Sequence, residues 1–298
     1  MTPGRGVRRP PARRRVRIVT WLLLSPALLL IGFLLVTIAV FAWRSAFPEP
    51  GGQLGALGVI ENGAVDGFFW TAMLRTVLMA FSSAVVSCLI SLAVAAALVA
   101  VDRPLITTVT SIALFSPLVV SLPVRGYGWF LILDQKPVQD SLNGIAWLFD
   151  TFGYTYAMVA TVIVMAHAMM PLTSFPVIAR LREIHHLRLE PAARDMGAGA
   201  VRAFRTVTLP LALPTLARVL ALGTAMAMGA YGIPAIIGRG RVQVVAELIY
   251  QNLLAADWSS ALVRLLALLA VTGVIVAPLY WGADRLGRRM AVNHGGAG

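Results

Sequence analysis

Few side chains in this sequence have the types and spacing that chemistry needs. His167 stands among Met165, Met169 and Met170, and imidazole with thioethers is a donor set for a soft metal. Methionines so spaced on a helix do not share one face, so the cluster reads as apolar packing and no metal site is expected. His185-His186 sits in a basic segment and is expected to be solvated. No Ser/His/Asp set or paired carboxylates stand out, so catalysis is not expected. Lys136 is the only lysine, and neither Gly-Lys-Ser nor Gly-Lys-Thr occurs, which excludes a P-loop. No cofactor is expected either. Cys88 is the single cysteine and can form no internal disulfide. What remains is a polar island, Glu190 to Pro210 (EPAARDMGAGAVRAFRTVTLP), set between apolar runs of membrane-spanning length.

Within the island, Pro191 suits the first position of a helix, with Glu190 beside the positive end of its dipole. Ala192, Ala193 and Met196 form a small apolar face, while Arg194 and Asp195 point elsewhere. Gly197 and Gly199 permit a change of direction before helical character resumes over Val201 to Thr206. Leu209-Pro210 then leads into the next apolar run. The spacing predicts helix, bend, helix, lying across a membrane surface between two spans.

The elements that must hold this island are set by composition. The chain has 298 residues, 58% hydrophobic and 13% charged, with a mean hydropathy of +0.80. Such a chain is an all-α integral membrane protein rather than a soluble domain. Six stretches meet the requirement of about 20 mainly apolar residues: Ile18 to Trp43, Thr76 to Val101, Thr107 to Leu133, Tyr154 to Ile178, Leu209 to Ile237 and Ala261 to Trp281. The first is too long for a signal-peptide core and reads as an uncleaved span. Before it lies a basic tail, residues 1–17, whose Pro and Gly predict disorder. Six spans divide the basic residues seventeen to four between the two faces, so the positive-inside rule places both termini and the island in the cytoplasm. The net charge of +12 is thereby explained without nucleic acid. Val244 to Leu254 has the periodicity of a short helix on the outer surface. Trp43, Trp70, Trp129, Trp147, Trp258 and Trp281 fall near span ends, as interfacial anchors against lipid do.

The island resembles the EAA loop of binding-protein-dependent ABC transporter permeases: Glu-Ala-Ala, three residues, Gly, nine residues, Ile, one residue, Leu-Pro. Here Ala192-Ala193 is followed by three residues and Gly197, then nine residues bring Val207 in place of Ile, and Thr208 precedes Leu209-Pro210. One position departs, with Pro191 where the family has Glu and Glu190 one place early. The resemblance implies the six-helix type I ABC importer permease fold over 70–283, with a coupling loop over 190–210 and a cytoplasmic tail over 284–298. It implies a bacterial inner-membrane transport component rather than an enzyme. Its partners would be cytoplasmic ATP-binding subunits, a second homologous permease forming a heterodimer, and a periplasmic solute-binding protein. Glu190, Pro191, Ala192, Ala193, Asp195, Met196, Gly197, Leu209 and Pro210 would form the ATPase-coupling element.

A translocation path is expected where helices are interrupted, since irregular backbone at membrane depth is tolerated in protein or beside water. Pro117, Pro123, Gly126 and Gly128 interrupt the third span, Pro171 and Pro176 the fourth, and Pro210, Pro214, Gly229, Gly232 and Pro234 the fifth. Arg125, Tyr127, Trp129, His167 and Tyr231 are the candidate path residues. Pro123 to Trp129 is similar to a segment of the spermidine/putrescine branch, as are Leu74-Arg75-Thr76 and Asp257-Trp258, and this implies a polyamine solute. Arg75, Arg125 and Arg264 in the outer half pull instead toward an anion. An ion-coupled transporter is the rival class, but no Asp or Glu lies well inside a span to carry a proton.

Overall fold

The computed structural model describes residues 12–46, 55–61, 63, 65–101 and 103–295, among which no strand occurs. The chain divides into two compact units, Met1–Asn62 and Gly63–Gly298. The first contains α1 (Ala12–Ala46), with an apolar stretch at Leu24–Val40, and the short α2 (Ala56–Glu61). The helix starts inside the basic segment expected to be disordered, because Arg13 to Arg17 follow the last proline of the tail and arginine is a good helix former. Residues 1–11 of that tail, and Asp102 beside Arg103, lie outside the described residues.

The second unit runs α3 (Gly67–Val101), α4 (Pro104–Val119), α5 (Leu122–Leu133), α6 (Lys136–Leu148), α7 (Tyr156–His186), α8 (Leu189–Asp195), α9 (Ala200–Ala203), a π-helical turn over Phe204–Thr208, α10 (Leu209–Met228), α11 (Gly232–Gly238), α12 (Val245–Leu254) and α13 (Trp258–Gly295). Among the described residues, four helices are long and apolar enough to cross a bilayer: α3, α7, Ala200–Met228 and Trp258–Arg288. The bent pair of α4 and α5 makes a fifth. The second span starts nine residues before Thr76 because Asp66 caps it, its carboxylate accepting from the Phe69 amide at 2.8 Å.

The interrupted spans differ from expectation. Only the third is broken in mid-course: α4 and α5 meet at 107°, the turn falling at Val120-Ser121 just before Pro123. The fourth is continuous through Pro171 and Pro176 to His186, so Arg180, Arg182, Glu183 and both histidines ride on helix. The fifth begins at Ala200 and ends at Gly229, leaving Gly232–Gly238 as a separate short helix. The stretch over 284–295, expected as a tail, continues α13.

α3 packs on α7 and α10, and α10 packs also on α13. Hydrogen bonds stitch the first pair: the Ser87 and Ser91 hydroxyls each meet the Thr173 hydroxyl at 2.8 Å, and Ser91 meets Ser174 at 2.9 Å, all fully buried. In a bilayer such contacts help where apolar packing alone gives no preference over lipid. α10 approaches α3 through Gly223, where a Cβ would lie 3.2 Å from the Ala84 Cβ.

Candidate functional site

The polar island forms a short helix and a tight stop. α8 begins at Leu189, after Arg188 turns the chain at φ 56° out of α7. Pro191 therefore occupies the third helical position rather than the first, which is tolerated because the first amides of a helix have no intrahelical partner. At the other end, Gly197 N donates to Arg194 O at 2.8 Å and Ala198 N to Ala193 O at 3.0 Å. With Gly197 at φ +92°, this is a Schellman motif, and the glycine is its left-handed residue. Ala192 and Met196 face outward, Met196 at 84% exposure, so the apolar face of α8 is presented rather than packed. Asp195 is exposed as well, and Ala193 half-buried. The second helix of the island is not separate. Ala200 opens the fifth span itself, and Leu209 and Pro210 lie half-buried in its course, just past a π-helical turn.

Glu190 does more than cap. One carboxylate oxygen accepts from Arg194 at 2.6 Å, and the other from the Thr208 hydroxyl at 2.7 Å. The second bond ties α8 to the start of the fifth span. Sequence reasoning missed Thr208, because the motif leaves the position immediately before Leu209-Pro210 open to any residue. Arg180 supplies another tie, its Nε and Nη2 donating to Leu211 O at 3.2 and 3.1 Å while Nη1 pairs with Glu183.

The candidate path residues gather around the broken third span, though not all in one place. A cleft of about 460 Å³ lies between α4, α5, α7, α10 and α11, with Arg125, Ser121, Met169 and Tyr231 in its wall. Arg125 Nη1 donates to Pro117 O, a carbonyl that the end of α4 leaves without a helical partner. Its Nε is buried with no partner, and no carboxylate pairs with it or lines the cleft among the described residues. Tyr231 meets Tyr250 at 4.6 Å between ring centroids. Trp129 is turned inward rather than toward an interface, its indole N–H donating to His167 Nδ1 at 3.2 Å, and neither lines the cleft. Trp43, Trp70, Trp147, Trp258 and Trp281 are exposed. Tyr127 is exposed and stacks near Phe130. His167 joins no group of potential metal ligands among the described residues. Arg264 donates to Asn252, and Arg218 pairs with Asp284 at 2.7 Å.

On the side of the bundle where α5 ends, Arg239 pairs with Asp134 at 2.7 Å and lies over the Phe130 ring at 4.0 Å. This clasp between α11 and the end of α5 was not foreseen, and neither was the amphipathic α6.

Comparison with known proteins places this geometry. The molybdenum transport system permease protein ModB of Escherichia coli is 39% identical over 89 residues, 28% of this chain and 38% of that protein. The spermidine/putrescine transport system permease protein PotB of Salmonella typhimurium is 26% identical over 167 residues, 55% of this chain and 57% of that one. The chain thus matches roughly two fifths to three fifths of the length of these relatives. Among solved structures, a chain of a bacterial ABC transporter involved in the import of the acidic polysaccharide alginate superposes with a TM-score of 0.61 at 15% identity, covering 93% of this chain and 96% of that one. That likeness shows the fold, a type I ABC importer permease fold. The family model for the binding-protein-dependent transport system inner membrane component matches residues 87–292, which hold the α4–α5 break, α8 and Gly197, and the chain belongs to that family.

Proposed function

We propose that this chain is the permease subunit of an ABC importer in a bacterial inner membrane, with α8 and Gly197 as the element that docks on a cytoplasmic ATPase. The observation that carries the reading is the outward apolar face of α8, closed by the Gly197 stop and held to the fifth span by Glu190. ATP hydrolysis then belongs to the partner, since this sequence has no P-loop. A periplasmic binding protein delivers solute, and a second homologous permease completes the path as a heterodimer. Both termini and α8 face the cytoplasm in this reading, which rests on the charge asymmetry of the spans. Affinity purification of the tagged chain from its native membranes tests it: an ATP-binding subunit is expected to co-purify, and its absence under conditions that retain the second permease overturns the assignment.

The solute reading that the cleft supports best is a small anion. Arg125 holds a positive charge there with no carboxylate to balance it among the described residues, whereas a path for a polyamine would offer acidic groups and aromatic faces to a cation. A polyamine is the second reading. It is supported by the similarity to PotB over 55% of the chain and by the Tyr231–Tyr250 pair beside the cleft. Solute-stimulated ATPase activity of the reconstituted transporter with its binding protein separates the two. Stimulation by putrescine or spermidine, and by no anion, overturns the anionic reading.

A further inference from the structure

At the end of the bundle where α3 stops, α4 starts and α7 stops, a cavity of about 530 Å³ is walled by Arg103, Arg182, Arg188, His185 and His186, with Leu98 and Val99 from α3 below them. The arginines come from three separate segments: the residue before α4, the last turns of α7, and the link to α8. No carboxylate lines the cavity among the described residues, and none of its three arginines is ion-paired there. This sets them apart from Arg180, Arg194, Arg218 and Arg239, which each hold a carboxylate: Glu183, Glu190, Asp284 and Asp134. A merely solvated basic face would be convex, with its charges spread. Here three exposed arginines line one concavity, an arrangement whose mutual repulsion an anion relieves. Guanidinium forks match the oxygens of a phosphate in bidentate fashion. Thr107 adds a hydroxyl with no partner among the described residues.

We infer that this cavity binds a phosphate group, carried by an anionic membrane phospholipid whose headgroup enters between the arginines. The apolar wall favours a lipid over a free ion: Leu98 and Val99 belong to the last turn of a helix long and apolar enough to cross the bilayer, which ends at Val101. Occupancy also reaches α8. Arg188, the residue immediately before that helix, is held at φ 56°, so an anion that fixes its side chain fixes the entry to α8.

The test is lipid retention by the purified full chain in detergent, followed by native mass spectrometry with phosphatidylglycerol, phosphatidylcholine or inorganic phosphate added. Retention of phosphatidylglycerol over phosphatidylcholine is expected, and the double variant Arg103→Gln/Arg182→Gln should weaken it roughly thirtyfold, the factor for two basic side chains near an anionic lipid surface. Arg202→Gln, exposed and outside the cavity, should leave it unchanged. A second measurement needs no variant: raising salt should weaken phosphatidylglycerol retention in the unaltered chain. Displacement by inorganic phosphate at equal concentration keeps the phosphate site and assigns it a soluble source. Equal retention of both lipids, unaltered retention by the double variant, or indifference to salt overturns the inference. None of these readouts involves ATPase or solute, so failure here is separate from failure of the importer reading.

Discussion

Replacing Glu190 by alanine asks whether one carboxylate holds α8 to the fifth span. Two contacts go. The bridge to Arg194 is an i,i+4 pair whose arginine is 51% exposed, and such pairs contribute about 0.3–0.5 kcal/mol. The Thr208 hydroxyl is another matter, because Thr208 is only 5% exposed and its acceptor is charged. A hydrogen bond of that kind contributes about 1.5–3 kcal/mol, so the two together come to about 2–3.5 kcal/mol. That exceeds what a glutamate near a helix start contributes by capping alone, less than about 1 kcal/mol. The assay is a cycle of Glu190→Ala, Thr208→Val and the double variant, read by thermal unfolding of the purified chain and by solute uptake in cells. A coupling of at least about 1.5 kcal/mol is expected, with uptake sharply reduced in either single variant and little further loss in the double. Glu190→Gln should fall between, since its amide oxygen can still accept from Thr208. Additivity within about 0.5 kcal/mol, together with normal uptake by Glu190→Ala, would refute the reasoning.

Three other changes test separate features. Gly197→Asp places a side chain at φ +92°, at a cost of about 1–2 kcal/mol, and adds charge beside an apolar docking face; insertion should be normal, while ATPase retention and uptake are lost, and normal uptake would remove α8 from the coupling role. Ala256 is the left-handed residue of a second Schellman motif, φ 56°, with Ala256 N donating to Leu253 O and Asp257 N to Asn252 O, so Ala256→Gly should raise stability by about 0.5–1 kcal/mol; a lower melting temperature would mean that the methyl group is engaged. Reporter fusions after residues 55 and 145 should read outside, and those after 190 and 290 inside; an outside signal at 190 would overturn the orientation.

What could be read in the sequence was what short-range physics dictates. The Gly197 stop follows from a local rule, because few residues but glycine tolerate a left-handed backbone, and the apolar face of Ala192 and Met196 follows from helical periodicity. The existence of the second to sixth spans was likewise legible, since hydropathy over about 20 residues reports it, whereas the first expected span, Ile18 to Trp43, shows an apolar helical stretch only over Leu24–Val40. The misses depend on partners distant in the chain. Proline density suggested that the fourth span breaks, yet α7 absorbs Pro171 and Pro176 while packed along α3 and α10, and only the third span, where Ser121 and Leu122 precede Pro123, turns sharply. Trp129 read as an anchor because its place near a span end is a local fact, whereas its bond to His167 joins α5 to α7. The Glu190–Thr208 bond escaped for the same reason, as the two are eighteen residues apart and meet only because the chain reverses at Gly197.

That reversal gives the site its mechanical sense. From Ala200 the chain runs as one 29-residue helical rod to Met228, through the π turn at Phe204–Thr208, a length of roughly 43 Å at 1.5 Å per residue. One end is tied to α8 through Thr208. The other stops at Gly229, from which Ala230, Tyr231 and Gly232 pass directly along the wall of the cleft that holds Arg125. A helix is stiff along its axis, so a displacement imposed on α8 reaches the cleft as a movement of the whole rod rather than fading within a few residues. The weak points are the breaks at its two ends, Gly197 to Gly199 and Gly229 to Tyr231, where the regular helix is interrupted. On the proposed reading, the ATPase would act at the first of these breaks and the solute would pass at the second. The bond between Glu190 and Thr208 is then the joint at which a docking event becomes a movement of the path.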